Sequence, residues 1–295
     1  MIYTIGILEL IESDQFKAVE IQFFKDWMKG KTSLAVDTET EGFWDLENQI
    51  IMIQVSDSID SFVIDVRNRL DLILLCKEFL EDQTIEKLGV NLKFEYKFFK
   101  QYGIVMENCY DCFLVECLLT NGLENRQLGL KGLSKKYLNI DMDKDTRLEF
   151  IHSKGLPFTT KQILYGSGDV SGLHKIKELQ QVEINRLELQ AIVDLENKAL
   201  CSLGDIEFNG MAFDSEKWMR LSVTSKDKVG IYEKELDEFV RANSKLSKYI
   251  MKYIQSDLFG EVSRDIDIKW SSPKQVSEVF KDLGLVLKNS SEKEI

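Results

Sequence analysis

The stretch that decides the fold is residues 34–43, which read LAVDTETEGF. Its first three residues are apolar and suit a buried strand, whereas Asp37 and Glu39 interrupt that strand near its end. Side chains two residues apart on a strand point to the same side, so these carboxylates stand about 7 Å apart along the chain. A divalent cation such as Mg²⁺ or Mn²⁺ would relieve their repulsion. A strand that simply ends, with both acids in solvent, is the alternative interpretation.

The composition is that of a globular protein without a membrane span. The chain has 295 residues, of which 44% are hydrophobic and 30% charged. No apolar run reaches the roughly 18 residues that cross a bilayer. The first residues lack a basic segment and a cleavage site, so we expect no signal peptide and no membrane partner. The expected location is the cytoplasm, or the host cytoplasm if a phage encodes the chain.

Cysteine content and net charge exclude several classes of site. Five scattered cysteines indicate a reducing compartment rather than a disulfide framework. Cys109 and Cys112 form a C-x-x-C, but no second such pair exists to complete a zinc site. The net charge of −12 argues against a broad electrostatic contact with nucleic acid. It leaves room for an acidic enzyme that takes only the last few nucleotides of a strand.

Hydrophobic patterning predicts an α/β domain followed by a helical segment. The predicted strands cover residues 1–10, 33–38, 50–55, 61–66 and 84–90, and the three central ones, joined by short links, indicate an antiparallel meander. The predicted helices cover 16–27, 70–80, 94–102, 111–120, 130–138 and 160–183. We expect the first domain to end near residue 190.

Long helical patterns follow over residues 187–206, 215–240 and 244–256. Seven basic residues lie between positions 226 and 252: Lys226, Lys228, Lys234, Arg241, Lys245, Lys248 and Lys252. A solvated helix face explains most of them, and a track that binds phosphates is the alternative.

Two further segments place acids where chemistry would need them. Residues 88–99, LGVNLKFEYKFF, pass from strand to helix, and Glu95 falls in the first helical turn. An acid there also favours the helix dipole without any other role. In residues 164–170, LYGSGDV, Tyr165 and Asp169 are four apart and share one face of a helix.

These segments resemble, in order and spacing, the three motifs of the DEDD superfamily of 3′-5′ exonucleases, in the subclass with tyrosine in the third motif. The matching residues are Asp37 and Glu39, then Asn91, Phe94 and Glu95, then Tyr165 and Asp169. The likeness is to the proofreading domain of bacterial and phage family A DNA polymerases. Residues 195–214 and 270–285 resemble the helix that opens the polymerase portion and the thumb-entry segment, whereas palm and fingers have no counterpart.

The resemblance implies an α/β fold with a ribonuclease H-like three-layer exonuclease domain over residues 1–190 and a mainly helical extension over 191–295. It implies a proofreading-type exonuclease that removes 5′-mononucleotides from the 3′ end of single-stranded DNA. The implied cofactors are two Mg²⁺ or Mn²⁺ ions. A separate polymerase polypeptide is a further expected partner, and we expect no polymerase activity from this chain alone.

The resemblance also assigns roles to individual residues. Asp37 would bridge both ions, Glu39 and Asp169 would complete the first ion's ligands, and Glu95 would hold the second. Tyr165 would orient the attacking water. The expected nucleic-acid-binding residues are Asn91, Phe94, Phe43 and Thr38.

Two departures from the family pattern affect these expectations. Glu95 stands where the family usually has Asp, so its carboxylate lies about one methylene further out, and we expect a slower enzyme. Gly166 and Gly168 lie between the third-motif residues, and glycine costs a helix about 1 kcal/mol. We therefore expect a soft turn there, with Tyr165 mobile until metal and substrate bind.

Two alternatives remain open. An RNA exonuclease of the ribonuclease D type shares the motifs, but it predicts an RNA-binding helical tail instead of the SSPKQVSEVF segment at residues 271–280. A non-catalytic scaffold that docks a separate polymerase would explain the glutamate at position 95. Retention of the other motif residues argues against the scaffold.

Overall fold

The computed structural model describes residues 1–7, 14–142, 149–150, 156–251 and 265–285. The chain divides into two units, Met1–Gly210 and Met211–Ile295. The strands of the first unit are β1 (Ile2–Ile5), β2 (Phe16–Ala18), β3 (Ser33–Thr40), β4 (Ile50–Ser56), β5 (Ser61–Asp65), β6 (Glu86–Gly89) and β7 (Cys109–Asp111). Its helices are α1 (Ile21–Met28), α2 (Leu70–Leu75), α3 (Lys77–Leu80), α4 (Leu92–Lys100), α5 (Cys112–Leu119), α6 (Leu130–Leu133), α7 (Thr160–Ser171), α8 (Leu173–Leu187) and α9 (Gln190–Asn209), with a π-helical turn over Ser134–Leu138.

The described strands form one mixed sheet in the order β2-β1-β5-β4-β3-β6-β7. β3, β4 and β5 pair antiparallel, which confirms the predicted meander. β1 pairs parallel with β2 and β5, and β6 pairs parallel with β3 and β7. β3, which carries the first predicted motif, therefore lies inside the sheet between β4 and β6.

Helices cover both faces of this sheet. Leu34 and Val36 of β3 pack into a cluster with apolar residues of α1 to α4. Ala35, which lies between them in sequence, packs instead with residues of α5 and α8. This alternation is the period-two pattern of a strand buried on both sides. It confirms the predicted three-layer α/β fold.

Several elements of the structure differ from the prediction. Residues 16–18, expected to open a helix, form β2 and pair with β1, and the helix begins only at Ile21. β7 was not predicted, because three residues are too short for a recognisable period. The helix expected over 160–183 is interrupted at Gly172. Residues 8–10 of the first predicted strand lie outside the described residues.

The first of the two compact units extends to Gly210, and the end of the exonuclease domain near residue 190 stays a prediction. Helix α9 belongs to the first unit because it packs on α4 and bonds to β7. Gly204 lies so close to Tyr96 that an added Cβ would come within 2.5 Å of the ring. The Tyr96 hydroxyl donates to Asp205 at 2.6 Å, and Asn197 accepts the Asp111 backbone N–H at 2.8 Å.

The described residues of the second unit are mainly helical, but the segment predicted as a helix over residues 244–256 is a 3₁₀ turn over Ser244–Tyr249. The unit contains α10 (Ser215–Ala242), a 3₁₀ turn (Ser244–Tyr249) and α11 (Pro273–Asp282). Ser272 caps α11 by accepting the N–H of Gln275, and Pro273 occupies the first helical turn. A small apolar cluster joins these elements: Val240, Leu246, Ile266, Ile268 and Val279. In the part of the chain that the structure describes, no helix is both long and apolar enough to cross a membrane.

Asp111 fixes the starts of two helices at the end of β7. Its buried carboxylate accepts the backbone N–H groups of Asn91 at 2.9 Å, Leu92 at 2.8 Å and Phe113 at 2.8 Å. Asn91 has a left-handed backbone, with φ of 69°, and leads directly into α4. Burial raises the pKa of Asp111, although the three hydrogen bonds oppose this shift. The carboxylate thus sets where α4, which carries Glu95, begins.

We predict that Asp111→Ala lowers the free energy of unfolding by about 3 kcal/mol, because it leaves buried backbone donors without an acceptor. Urea denaturation measures the loss. The matched control is Asp71→Ala, which removes an exposed acid from the first turn of α2, where it pairs only with exposed Arg69. The control should lose less than about 1 kcal/mol. Equal losses in both variants would contradict the role given to Asp111.

Candidate active site

Three carboxylates from distant parts of the chain converge at the sheet. Asp37 and Glu39 come from β3 and Asp169 comes from α7, and one oxygen of each lies within 4.8 Å of the others. Glu39 and Asp169 are buried, and Asp37 is half-buried. The structure thus brings together three of the four acids that the sequence singled out as metal ligands.

The register of the sheet positions the two acids of β3. Asp37 lies opposite Gln54 and Glu39 opposite Met52 on the antiparallel neighbour β4. The pairing then shifts between Glu39 and Thr40, where the strand ends. An irregularity of this kind redirects the side chains beside it.

Gly166 allows α7 to approach the sheet closely enough to deliver Asp169. A Cβ at position 166 would lie 2.8 Å from Nε2 of Gln54 and 3.1 Å from Sδ of Met52, both of which are buried. These residues are the β4 partners of the two β3 acids, so the contact lies directly beside the site. Gly168 has no heavy atom within 4 Å of the corresponding position.

The two glycines therefore have different structural roles. α7 runs without interruption over Thr160–Ser171 and begins at a capping box formed by Thr159 and Gln162. Gly166 is required by a close packing contact with the sheet, whereas Gly168 makes no such contact. The softness expected from them and the mobility of Tyr165 remain predictions.

The three carboxylates fit a single hard cation. Oxygens bound to one Mg²⁺ at about 2.1 Å lie at most about 4.2 Å apart. A separation within 4.8 Å therefore needs only small side-chain adjustments to close around an ion. Held this close without a cation, three ionised carboxylates would repel one another strongly, since the interior screens charge less than water.

The fourth acid and the tyrosine lie on the expected helices. Glu95 is buried in the first turn of α4 but is not part of the three-carboxylate cluster. Tyr165 is half-buried on α7, and its ring centroid lies 6.0 Å from that of Phe150. Their expected roles as second-ion ligand and water-orienting group remain predictions.

The expected nucleic-acid-binding residues lie in different environments. Phe94 packs against Phe98, with 4.7 Å between ring centroids, and Thr38 is buried in β3. Asn91 forms the left-handed residue before α4. Phe43, in contrast, is 59% exposed just after β3, and its contact with nucleic acid stays a prediction.

Trp44 is an exposed aromatic residue that the sequence reasoning missed. Its side chain is 71% exposed directly beside Phe43. The loop that carries both rings is held in place, because Asn48 donates its N–H to the Trp44 carbonyl at 2.9 Å and accepts from Gln101 at 3.2 Å. The sequence feature that could have identified Trp44 is the pair of adjacent aromatic residues just after the Asp-x-Glu strand.

A cavity beside α7 includes one of the three carboxylates, Asp169, in its wall. Its volume is about 360 Å³, and Tyr165 and Asp169 lie in its wall. The remaining wall is largely apolar and includes Leu130, Leu138, Ile140, Met142 and Leu164. A pocket of this size next to an acidic cluster can hold a small organic group such as a base or sugar.

Comparison with known proteins identifies the family. A family model described as a 3′-5′ exonuclease matches residues 18–184. The chain belongs to this family of DEDD-type exonucleases. The matched residues include β3, α4 and α7 and therefore every acid of the candidate site.

Individual relatives agree with this assignment. The exonuclease is 25% identical to DNA polymerase I of Aquifex aeolicus over 174 residues, which are 59% of this chain and 28% of the polymerase. The structure of Brucella melitensis NrnC with bound Mg²⁺ aligns with a TM-score of 0.55 at 18% identity, covering 71% of this chain and 93% of that one. Escherichia coli RNase D aligns with a TM-score of 0.52 at 20% identity, covering 65% and 49%. These likenesses confirm the ribonuclease H-like fold.

We predict opposite outcomes for the two glycines of α7. Gly166→Ala forces the helix away from Gln54 and Met52, so stability falls by about 1–3 kcal/mol and Mn²⁺ affinity falls with it. Gly168→Ala meets open space and gains up to about 1 kcal/mol from helix propensity. Urea denaturation and calorimetric Mn²⁺ titration measure both effects. If Gly166→Ala matched Gly168→Ala in both measurements, the close approach would not matter.

Proposed function

We propose that this exonuclease removes 5′-mononucleotides one at a time from the 3′ ends of single-stranded DNA, with Mg²⁺ or Mn²⁺ as its cofactor. The observation that carries the proposal is the cluster of Asp37, Glu39 and Asp169 beside a cavity of nucleotide dimensions. When bound, a pair of divalent ions lowers the pKa of the attacking water and stabilises charge on the attacking and leaving oxygens.

The residues of the site divide this work among them. Asp37, Glu39 and Asp169 would hold the first ion, with Asp37 shared between both. Glu95 would complete the second ion's ligands from α4. Tyr165, on the same helix as Asp169, would orient the water through its hydroxyl. The apolar wall of the cavity would exclude other water from the terminal nucleotide.

Exposed aromatic rings support a single-stranded substrate. Phe43 and Trp44 follow β3 directly, and base stacking on such rings is sequence-tolerant. A chain with a net charge of −12 suits contact with only a few terminal nucleotides. DNA is favoured by the sequence likeness to a DNA polymerase and by the resemblance of the second unit to a polymerase's thumb-entry region.

RNA is the second candidate substrate. The observation that favours it is the fold shared with Escherichia coli RNase D, which is described as an exoribonuclease involved in structured RNA processing. Stacking rings and a carboxylate site serve either polymer, so the substrate has to be decided by assay.

We predict that the purified chain digests 5′-labelled single-stranded DNA with Mn²⁺ at least about tenfold faster than RNA of the same sequence. Asp37→Ala should lower the rate at least about 1,000-fold, because loss of a shared ligand removes several kcal/mol of charge stabilisation. Asp26→Ala, which removes an exposed acid of α1, is the matched control and should keep the rate. A faster rate on RNA would select the second candidate. No Mn²⁺-dependent digestion of either polymer would exclude the function.

We predict that Glu95→Asp raises the DNA cleavage rate by about 10-fold to 100-fold. Shortening the side chain moves its carboxylate by about 1.5 Å, and misplacement near 1 Å can cost on the order of 100-fold in rate. Single-turnover rates at several Mn²⁺ concentrations measure the change. Glu78→Asp, at an exposed position of α3, is the control and should have no effect. A slower Glu95→Asp enzyme would show that the site is built around glutamate.

A further inference from the structure

Helix α10 of the second unit carries a long exposed apolar stripe. Only Asp237 and Val240 of its 28 residues are buried. The stripe consists of Trp218, Leu221, Val229, Tyr232, Leu236 and Phe239, whose side chains are 39–60% exposed. They recur every three or four positions, except for one wider gap between Leu221 and Val229, where Ser225 lies on the same face. This spacing keeps them on one face over most of a helix about 42 Å long. A surface helix ordinarily buries such a face.

The charges that flank this stripe are separated by sign. Lys217, Lys226 and Lys228 lie beside its amino-terminal half, whereas Glu233 and Glu235 lie beside its carboxyl-terminal half. A phosphate track would need basic residues along its whole length, so the acidic half argues against nucleic acid as the occupant. The pattern instead complements a second α10 that runs in the opposite direction.

The stripe also matches its own reversed copy in side-chain size. When two α10 helices run antiparallel with residues 228 and 229 at the centre, Trp218 faces Phe239 of the second copy. Leu221 then faces Leu236, and the small Ser225 leaves room for the ring of Tyr232. Each contact occurs twice by symmetry, as an isologous interface requires.

We propose that α10 is a self-association surface through which two copies of this chain form an antiparallel helix pair. In that pair Lys226 of one copy lies two residues, or about 3 Å along the axis, from Glu233 of the other, on the same flank of the stripe. Both side chains are accessible, with Lys226 exposed and Glu233 half-exposed. In this pair, the lysines beside the stripe contribute to the contacts between the two chains.

The area of the stripe suits a stable dimer. Each copy contributes three aromatic rings that are 48–60% exposed. Aromatic side chains carry about 150–250 Å² each, so the rings of two copies bury about 600 Å² together. The aliphatic residues between them bring the total to the order of 1,000 Å², the lower limit for a specific interface.

Sedimentation equilibrium of the full chain at about 1–100 μM tests the proposal. We expect a species of twice the 34.2 kDa chain mass. Lys226→Glu and Glu233→Lys should each weaken dimerisation at least about tenfold, because each places like charges side by side twice per dimer. The chain that carries both substitutions should dimerise like the wild type, since opposite charges face each other again.

The matched control is Lys234→Glu. Lys234 lies on the side of α10 opposite the stripe, so its reversal should leave the dimer intact. All these positions are on the surface, and unchanged circular dichroism confirms that each variant folds. A wild-type monomer at 100 μM would overturn the proposal, as would a double variant that fails to restore the dimer. A dimer that Lys234→Glu disrupts equally would also overturn it.

Discussion

The close approach of three carboxylates, whose oxygens lie within 4.8 Å of one another, is the constraint on which the rest of the structure depends. Two of them come from β3, where the antiparallel register with β4 fixes their positions. The third comes from a helix on one face of the same sheet. A cation bound between the oxygens would stabilise this arrangement. Packing of the surrounding residues offsets the cost of burying the carboxylates.

Close packing at Gly166 fixes the position of α7 relative to the central strands. Because glycine has no Cβ, α7 can lie against Met52 and Gln54 of β4, which are the partners of the β3 acids. A close packing contact of the same kind occurs at Gly204, where α9 lies against Tyr96 of α4, the helix that carries Glu95. Both helices that carry predicted site acids are thus positioned by contacts with their neighbours rather than by their own propensities.

Local periodicity was sufficient to predict much of this arrangement. The period of two placed Asp37 and Glu39 on one side of a strand, and the short links predicted the antiparallel meander that the structure shows. Helical spacing put Tyr165 and Asp169 on one face. That Asp169 meets the β3 acids followed only from resemblance to a family, because no local pattern reports a contact over more than 100 residues.

Long-range contacts explain what the sequence did not reveal. β7 and β2 are three-residue strands that exist because a neighbour pairs with them. The hydrogen bond between Asn197 and Asp111 attaches α9 to β7 without any signal in composition. Anomalous diffraction from a crystal soaked in Mn²⁺ tests the central claim most directly. We expect a peak in contact with Asp37, Glu39 and Asp169; an ordered, ion-free cluster at saturating Mn²⁺ would contradict it.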